Sequence, residues 1–565
     1  MTLRGYHMSW LRRDVIAGLV LTSLLVPQGM AYAELAGLPA ITGLYTSVLC
    51  LLGYAIFGPS RILVLGPDSS LGPMIAATIL PLVGANGDPA RAVELASMLA
   101  LITGLITLAA GVAKLGFVAD LLSKPTQIGY MNGLALTILV GQLPKLFGFS
   151  VDADGLIDEA KGFVNGLSDG KTVGAAVGIG ALALVLILVI QRVIPKIPGV
   201  LVAVVVAIGA SAALNLGDHG VSLVGELPSG FPPLELPNPH GELPALLAGA
   251  LGIALVSLTD TISTASVFAA RHDQEVNGNG EMIGIGAANI GASFFQGFPV
   301  STSGSRTAVA EQSGAKTQVT GLVGAVTIIL MLVLVPGLLR NLPQPVLAAV
   351  VIAASLSLAD LPGTRRLWQQ RKTEFSLSIA AFLGVALLGV LPGIGIAVAL
   401  SILNVFRRAW WPYQATLGRV PDMTGLHDRT LHPDAEELPG LTIFRFDAPL
   451  LFANSRTFRD QIRRLARAEP RPTWILVAAE PITDVDTTAA DMLEDLDEEL
   501  NAEGTSLVFA ELKEHVRAKL ERYELIGPLN PIHFYPTLDA AVEAYREETG
   551  ADWTPPTGTL PEVQV

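Results

Sequence analysis

Val64-Leu65-Gly66-Pro67-Asp68-Ser69-Ser70 and Phe298-Pro299-Val300-Ser301-Thr302-Ser303-Gly304-Ser305-Arg306 are two extended, Pro- and Gly-containing stretches, each leading into a short apolar run. A hydrocarbon core about 30 Å thick takes roughly 20 apolar residues of helix, and the runs at 67–81 and 303–312 fall short of that. Backbone that is not helical at membrane depth is tolerated only inside protein or beside a watery cavity, because each unpaired amide in hydrocarbon costs several kcal/mol. Two such breaks predict one shared cavity. Two half-helix N-termini facing each other there would aim their positive dipole ends at one spot, which suits an anion.

Outward from these breaks, apolar runs predict further helices at 13–36, 41–57, 92–113, 126–147, 172–191, 198–215, 243–269, 280–296, 317–336, 343–359, 374–390 and 392–410, fourteen with the two short ones. The chain is 51% hydrophobic and 15% charged, with a mean hydropathy of +0.53, a balance for lipid rather than for water. Charge is partitioned: residues 1–408 hold 22 Lys+Arg and 22 Asp+Glu, so the rest of the chain carries the whole net charge of −14. The first apolar run follows Arg12 and Arg13 but reaches Ala36 with no small-residue cleavage site, so it reads as a spanning helix and not a signal peptide. With the N-terminus inside, alternate loops place sixteen Lys and Arg in the cytoplasm, from Arg4 to Arg408 and including Lys196. Only Arg91, Lys145, Lys161, Lys171 and Arg340 fall outside, so the positive-inside rule puts both termini in the cytoplasm of an inner-membrane protein. The outer loops at 151–170 and 217–242 are acidic or Pro-rich, as that topology allows.

After Arg408, short strand-like runs at 441–446, 473–478 and 506–509 alternate with charged helical runs at 455–467, 488–500, 513–523 and 538–547, which predicts a small α/β domain. The expected division is a membrane domain at 1–410, a linker at 411–439, the soluble domain at 440–548 and a disordered tail at 549–565 containing Pro555, Pro556 and Pro561. In the soluble domain Asp486, Thr487 or Thr488 can each cap the helix that follows.

Ionisable groups in spanning segments are functional candidates by default. Arg306, one or two turns into a half-helix, needs an ionic partner or a ligand, and Asp68 or Asp260 can supply the partner. Gln28 and Tyr32 are four apart and share a helix face just after Pro27, with Glu34 slightly off it; Asp260 and Thr264 have the same spacing. Ser69, Ser70, Ser301 and Ser303 suit helix capping as well as donation to a ligand.

Pro27-Gln28-Gly29-Met30-Ala31-Tyr32-Ala33, Gly37-Leu38-Pro39, Gly43-Leu44-Tyr45, Gly66-Pro67, the Gln274 to Glu281 stretch and Ser301 to Thr307 together resemble the SulP sulfate-permease family. The C-terminal domain is similar to the STAS module. The resemblance implies an α-helical polytopic membrane protein of fourteen segments in a seven-plus-seven inverted repeat, split into core and gate domains that move like an elevator. It implies substrate positions at Gln28, Tyr32, Asp68, Ser69, Ser301, Ser305 and Arg306, and coupling-cation positions at Asp260 and Thr264. Asp68 departs from the pattern, since an acid beside a helix dipole end disfavours an anion unless it is protonated or paired.

Glu34, Asp68 and Asp260 supply titratable groups around the cavity, so the expected activity is proton-coupled symport of a carboxylate-type anion, fumarate-like or bicarbonate. Sulfate or chloride carriage is the alternative within the family. A nucleobase-cation symporter of the same fold and a membrane sensor signalling through the soluble domain are the rivals outside it. The expected partners are a small inorganic or carboxylate anion, a proton, the bilayer and a second copy of the chain, with no cofactor, metal or nucleic acid. No nucleophile–base pair, metal-ligand set or phosphate loop points to an enzyme; a lone His272 reads as a solvated loop residue, and Cys50, the sole cysteine, as packing.

Overall fold

A computed structural model describes residues 6–84, 87–116, 122–151, 153, 155–194, 197–232, 234–238, 241–271, 274–420 and 423–553. Arg4, Lys196, His272, Pro555, Pro556 and Pro561 lie outside the described residues. The chain divides into two compact units, 1–402 and 403–565.

The first half of the membrane unit runs α1 (Leu11–Leu35), α2 (Ala40–Phe57), β1 (Leu65–Gly66), α3 (Gly72–Val83), α4 (Pro89–Val112), α5 (Lys124–Leu146), α6 (Leu156–Ser168), α7 (Gly174–Val193) and α8 (Gly199–Leu214). The second half repeats that order as α9 (Leu243–Arg271), α10 (Gly278–Ser293), β2 (Ser301–Thr302), α11 (Gly304–Gln312), α12 (Val319–Leu334), α13 (Gln344–Leu358), α14 (Leu361–Gln370), α15 (Lys372–Leu388) and α16 (Val390–Trp410). Fourteen of these helices coincide with the expected segments. The other two, α6 and α14, occupy the same place in each half, between the fifth and sixth segments. The acidic stretch around residue 160, expected as an outer loop, thus holds a helix. Its spaced apolar residues supply the reason: Phe163 packs edge-on against Phe147 and stacks on Phe149.

Helices α1 to α4 pack with α9 to α12, and α5 and α7 pack with α13, α15 and α8, giving the core and gate groups. Among the described residues, seven helices are long and apolar enough to cross a membrane by length and composition. At 1.5 Å per residue α3 and α11 reach only about 18 Å and about 14 Å. Between them β1 and β2 pair antiparallel, Leu65 opposite Thr302 and Gly66 opposite Ser301. Nearby backbone groups are also paired: Ser303 N donates to Val64 O, Val64 N to Thr307 Oγ1, Val300 N to Asn289 Oδ1 and Phe298 N to Thr46 Oγ1, while Val300 O accepts from Ser257 Oγ. The breaks therefore sit in protein with their amides satisfied, as buried backbone requires.

The second unit holds one six-stranded sheet in the order β4-β3-β5-β6-β7-β8. Strands β3 (Gln414–Arg419) and β4 (Leu426–Asp428) pair antiparallel with each other, and β3 pairs antiparallel with β5 (Leu441–Phe446). Parallel pairing then runs through β6 (Trp474–Ala478) and β7 (Ser506–Ala510) to β8 (Phe534–Tyr535). Phe444, Phe446, Ile475, Val477, Leu507 and Phe509 face one apolar cluster shared with α17 (Ser455–Ala466), α18 (Thr487–Ala502) and α19 (Glu514–Arg522). Their neighbours Ile443, Leu476, Ala478, Val508 and Ala510 face a second cluster shared with α20 (Leu538–Thr549). That alternation is the period of a strand buried on both faces.

The stretch at 411–439, expected as a linker, is not one. It supplies two strands, because Ala415 and Leu417 alternate inward beneath Leu438 and Leu441. The helix α16 is also tied in, its Ala409 and Trp410 carbonyls accepting from Asn454 Nδ2 and Thr457 Oγ1. Residues 549–553 are likewise no free tail, since Trp553 packs against the second cluster and lies under the Arg419 guanidinium.

Candidate functional site

The first turn of α3 and the start of α11 meet at a cavity of about 430 Å³. Gln28 and Tyr32 of α1, Asp68 and Ser69 before α3, Asp260 and Thr264 of α9, and Ser303 and Ser305 at α11 line it. The gate group contributes Gln127 and Met131 of α5, Gln191 of α7 and Ser357 of α13. Seven of the ten residues singled out from the sequence therefore share one cavity. The other three do not line it, and each for a separate reason.

Glu34 lies beside a different depression with Leu38, Lys145 and Glu226, and its carbonyl accepts from Lys145 Nζ at 3.4 Å. Two residues beyond Tyr32 is about 200° around a helix, so Glu34 turns away from the shared face. Ser301 is fully buried inside the strand pair, and its Oγ has no hydrogen-bond partner. Arg306 is also fully buried and stands behind the lining. Its Nη2 donates to Pro67 O at 2.7 Å and lies 3.6 Å from Asp68 Oδ2, while Nε and Nη1 have no hydrogen-bond partner. A Cβ on Gly66 would come within 2.5 Å of Nη1, so a glycine is what lets the guanidinium lie against β1.

Asp68 is held in place by its own turn. Its Oδ1 accepts from Ser70 N at 3.0 Å and sits 2.8 Å from Ser70 Oγ, which in turn lies 3.1 Å from Asp260 Oδ2. Ser303 caps α11, and its hydroxyl is 3.1 Å from that of Ser305. The lining therefore offers hydroxyls at two helix starts, the side-chain amides of Gln28, Gln127 and Gln191, two carboxylates, and among the described residues one arginine reaching the cavity only through Asp68. Among the described residues no cluster of His, Cys, Asp and Glu is arranged to hold a metal ion. Sequence reading pointed to Ser70 as a cap or a donor to a ligand, not as a link between Asp68 and Asp260, and gave no sign of Gln127 or Ser357, because nothing in a local stretch tells which gate helix will close over the core.

The Sulfate permease family profile matches residues 11–381, and the STAS domain profile matches residues 432–541. A protein named Probable sulfate transporter, from Mycobacterium tuberculosis, is 41% identical over 545 residues, covering 96% of this chain and 97% of its own. Probable sulfate transporter 3.3 of Arabidopsis thaliana is 30% identical over 92% of this chain and 85% of its own. The fold is similar to that of the murine Solute Carrier 26 family member A9 anion transporter in its inward-facing state, with a TM-score of 0.87 at 24% identity, covering 96% and 93% of the two chains. It is also similar to the transmembrane domain of a cyanobacterium bicarbonate transporter, with a TM-score of 0.62 at 24% identity over 70% of this chain and 98% of the other. A repeat built on two broken segments, an anion-suited cavity between them and a profile spanning most of the membrane unit converge: the chain is a multi-pass membrane transporter of small anions and belongs to the sulfate permease family, with a STAS domain at its C-terminus.

Proposed function

We propose that this protein moves sulfate across the inner membrane together with protons, by an elevator-like displacement of the core group against the gate group. The observation that carries it is the meeting of two helix starts, rich in hydroxyl donors, over the Asp68–Arg306 pair. Hydroxyls and free amides at helix N-termini suit a tetrahedral oxyanion. The 41% identity to a protein named as a sulfate transporter supports sulfate over the carboxylate-type anion that the titratable residues alone suggested. Asp68 and Asp260 supply carboxylates to accompany the anion with protons, and the excess of Lys and Arg in alternate loops supports a cytoplasmic position for both termini and the STAS domain. Core and gate each keep their own packing, which supports movement of one against the other and pairing of two copies through the gate.

A second reading keeps the carboxylate-type anion, fumarate-like or bicarbonate. With Arg306 already matched by Asp68, the lining has no spare fixed cation among the described residues, which favours a substrate of low charge. Uptake of radiolabelled sulfate, fumarate, bicarbonate and uracil into proteoliposomes, under imposed proton or sodium gradients, decides between them. Sulfate accumulation driven by an inward proton gradient is expected. Accumulation of another anion, or sodium dependence, would replace this reading.

A further inference from the structure

Three oxygens form a chain at the wall of the cavity: Asp68 Oδ1, Ser70 Oγ and Asp260 Oδ2, separated by 2.8 Å and 3.1 Å. Both are hydrogen-bond distances, and each gap needs one hydrogen. A serine hydroxyl carries one, and ionised carboxylates carry none. With both aspartates ionised, one gap would press two lone pairs together. The Ser70 amide cannot fill it, because it already donates to Asp68 Oδ1. A proton on one of the two carboxyls supplies the missing hydrogen. Arg306 Nη2 lies 3.6 Å from Asp68 Oδ2, and among the described residues Asp260 has no ion-pair partner. The remaining titratable groups that face the pair are the phenols of Tyr32 on α1 and Tyr130 on α5, the latter buried without a hydrogen-bond partner.

We propose that Asp68 and Asp260 share one proton through Ser70, and that Asp68 is a tethered anion that occupies Arg306 until the transported anion arrives. The second half of this statement rests on the proton-coupled anion carriage proposed above; the first half stands without it. On loading, Asp260 gives its proton to Ser70 Oγ while the hydrogen already on Ser70 passes to Asp68 Oδ1. Only O–H bonds break and form, and the net change is one proton moved from Asp260 to Asp68. Neutral Asp68 releases the field of Arg306 to the incoming anion. Asp260, now ionised at the cavity wall, takes one proton from water, so one anion and one proton enter together. Ser70 is the positioning residue of this exchange.

Two measurements on the full chain test the two halves separately. In the empty protein near neutral pH, infrared spectroscopy should show a protonated-carboxyl band that is lost in Asp260→Asn and shifted in Ser70→Ala. Absence of the band, or its persistence unchanged in both variants, overturns the shared proton whatever the substrate proves to be. Sulfate is the probe for the second half, with binding followed by calorimetry in buffers of different ionisation enthalpy. Wild-type protein should take up close to one proton per anion, with affinity falling up to about tenfold per pH unit as pH rises. Asp68→Asn, permanently neutral, should bind sulfate more tightly at high pH and vary by less than about twofold per pH unit. Unchanged proton uptake in Asp68→Asn overturns the tethered-anion role; if sulfate fails to bind the wild-type protein, sulfate carriage is overturned and the same measurement is made with fumarate, where unchanged uptake in Asp68→Asn again overturns the role.

Discussion

Arg306 joins a charge cost to a packing role. The guanidinium is fully buried, so Arg306→Ala removes volume from a packed site and leaves Asp68 without its cation. Breaking a buried pair from one side costs about 3–5 kcal/mol. Arg306→Ala should therefore abolish anion uptake and also lower thermal stability in detergent. Adding Asp68→Asn should restore part of the stability and none of the uptake; equal stability of the single and double variants would show that the pair is not what holds Arg306. In the soluble domain Asp497 supplies a pH-dependent case. It is 3% exposed, Oδ2 accepts from Asn501 at 2.8 Å, Oδ1 has no hydrogen-bond partner, and burial pushes its carboxyl up to about 6. Because the folded value lies above the unfolded one, near 3.9, the native state holds the proton more tightly, and stability from this group is lost as pH rises from about 4 to about 6. Asp497→Asn should thus stabilise the domain by about 1–3 kcal/mol at pH 7.5, with most of that gain gone at pH 4. The urea midpoint for protease cleavage of the domain within the full chain measures it, and a gain independent of pH would rule out the carboxyl as its source.

Helices α1 and α2 meet through glycines. A Cβ on Gly43 would fall 1.9 Å from Gly29 O, a backbone atom that cannot rotate away, whereas Gly209 on α8 has nothing within 4 Å. Gly43→Ala should cost at least about 1–3 kcal/mol and reduce the yield of monodisperse protein, because overpacking forces the helices apart. Gly209→Ala should be close to neutral, and equal behaviour of the two would show that this approach is loose. These glycines stand in the stretches Pro27 to Ala33 and Gly43 to Tyr45 that carried the family resemblance, so that signal was in part a record of close helix packing. Helix existence was legible from apolar run length alone. The strands β3 and β4 were not, because Pro412, Gly418 and Gly425 interrupt the pattern and the pairing partner of β3 begins at Leu441. Asp486, one of three residues able to cap α18, is the one that does so, accepting from Ala489 N at 2.8 Å and from Phe452 N at 2.7 Å; the second donor lies far away in sequence.

The way β3 enters the sheet decides where the chain can be cut. A chain ending at residue 411 loses the whole STAS sheet, whereas one ending at residue 439 keeps β3 and β4 without β5, exposing Ala415 and Leu417 on an unpaired hairpin. A two-stranded hairpin is at best marginally stable in water. The longer chain should therefore aggregate more than the shorter on size-exclusion chromatography in detergent, and the shorter should still bind anion, since the cavity is lined wholly by residues before 359. Better behaviour of the longer chain would mean that β3 and β4 hold together without their sheet. By itself the sequence determined the spans, the two breaks, the change of solvent near residue 408 and the residue types at the cavity, because run length, period and composition are properties of consecutive residues. Only the tertiary structure decided that Arg306 stands behind Asp68 and that Ser70 joins Asp68 to Asp260. Those outcomes turn on fractions of a helical turn and on contacts between segments some 190 residues apart, which no local pattern encodes.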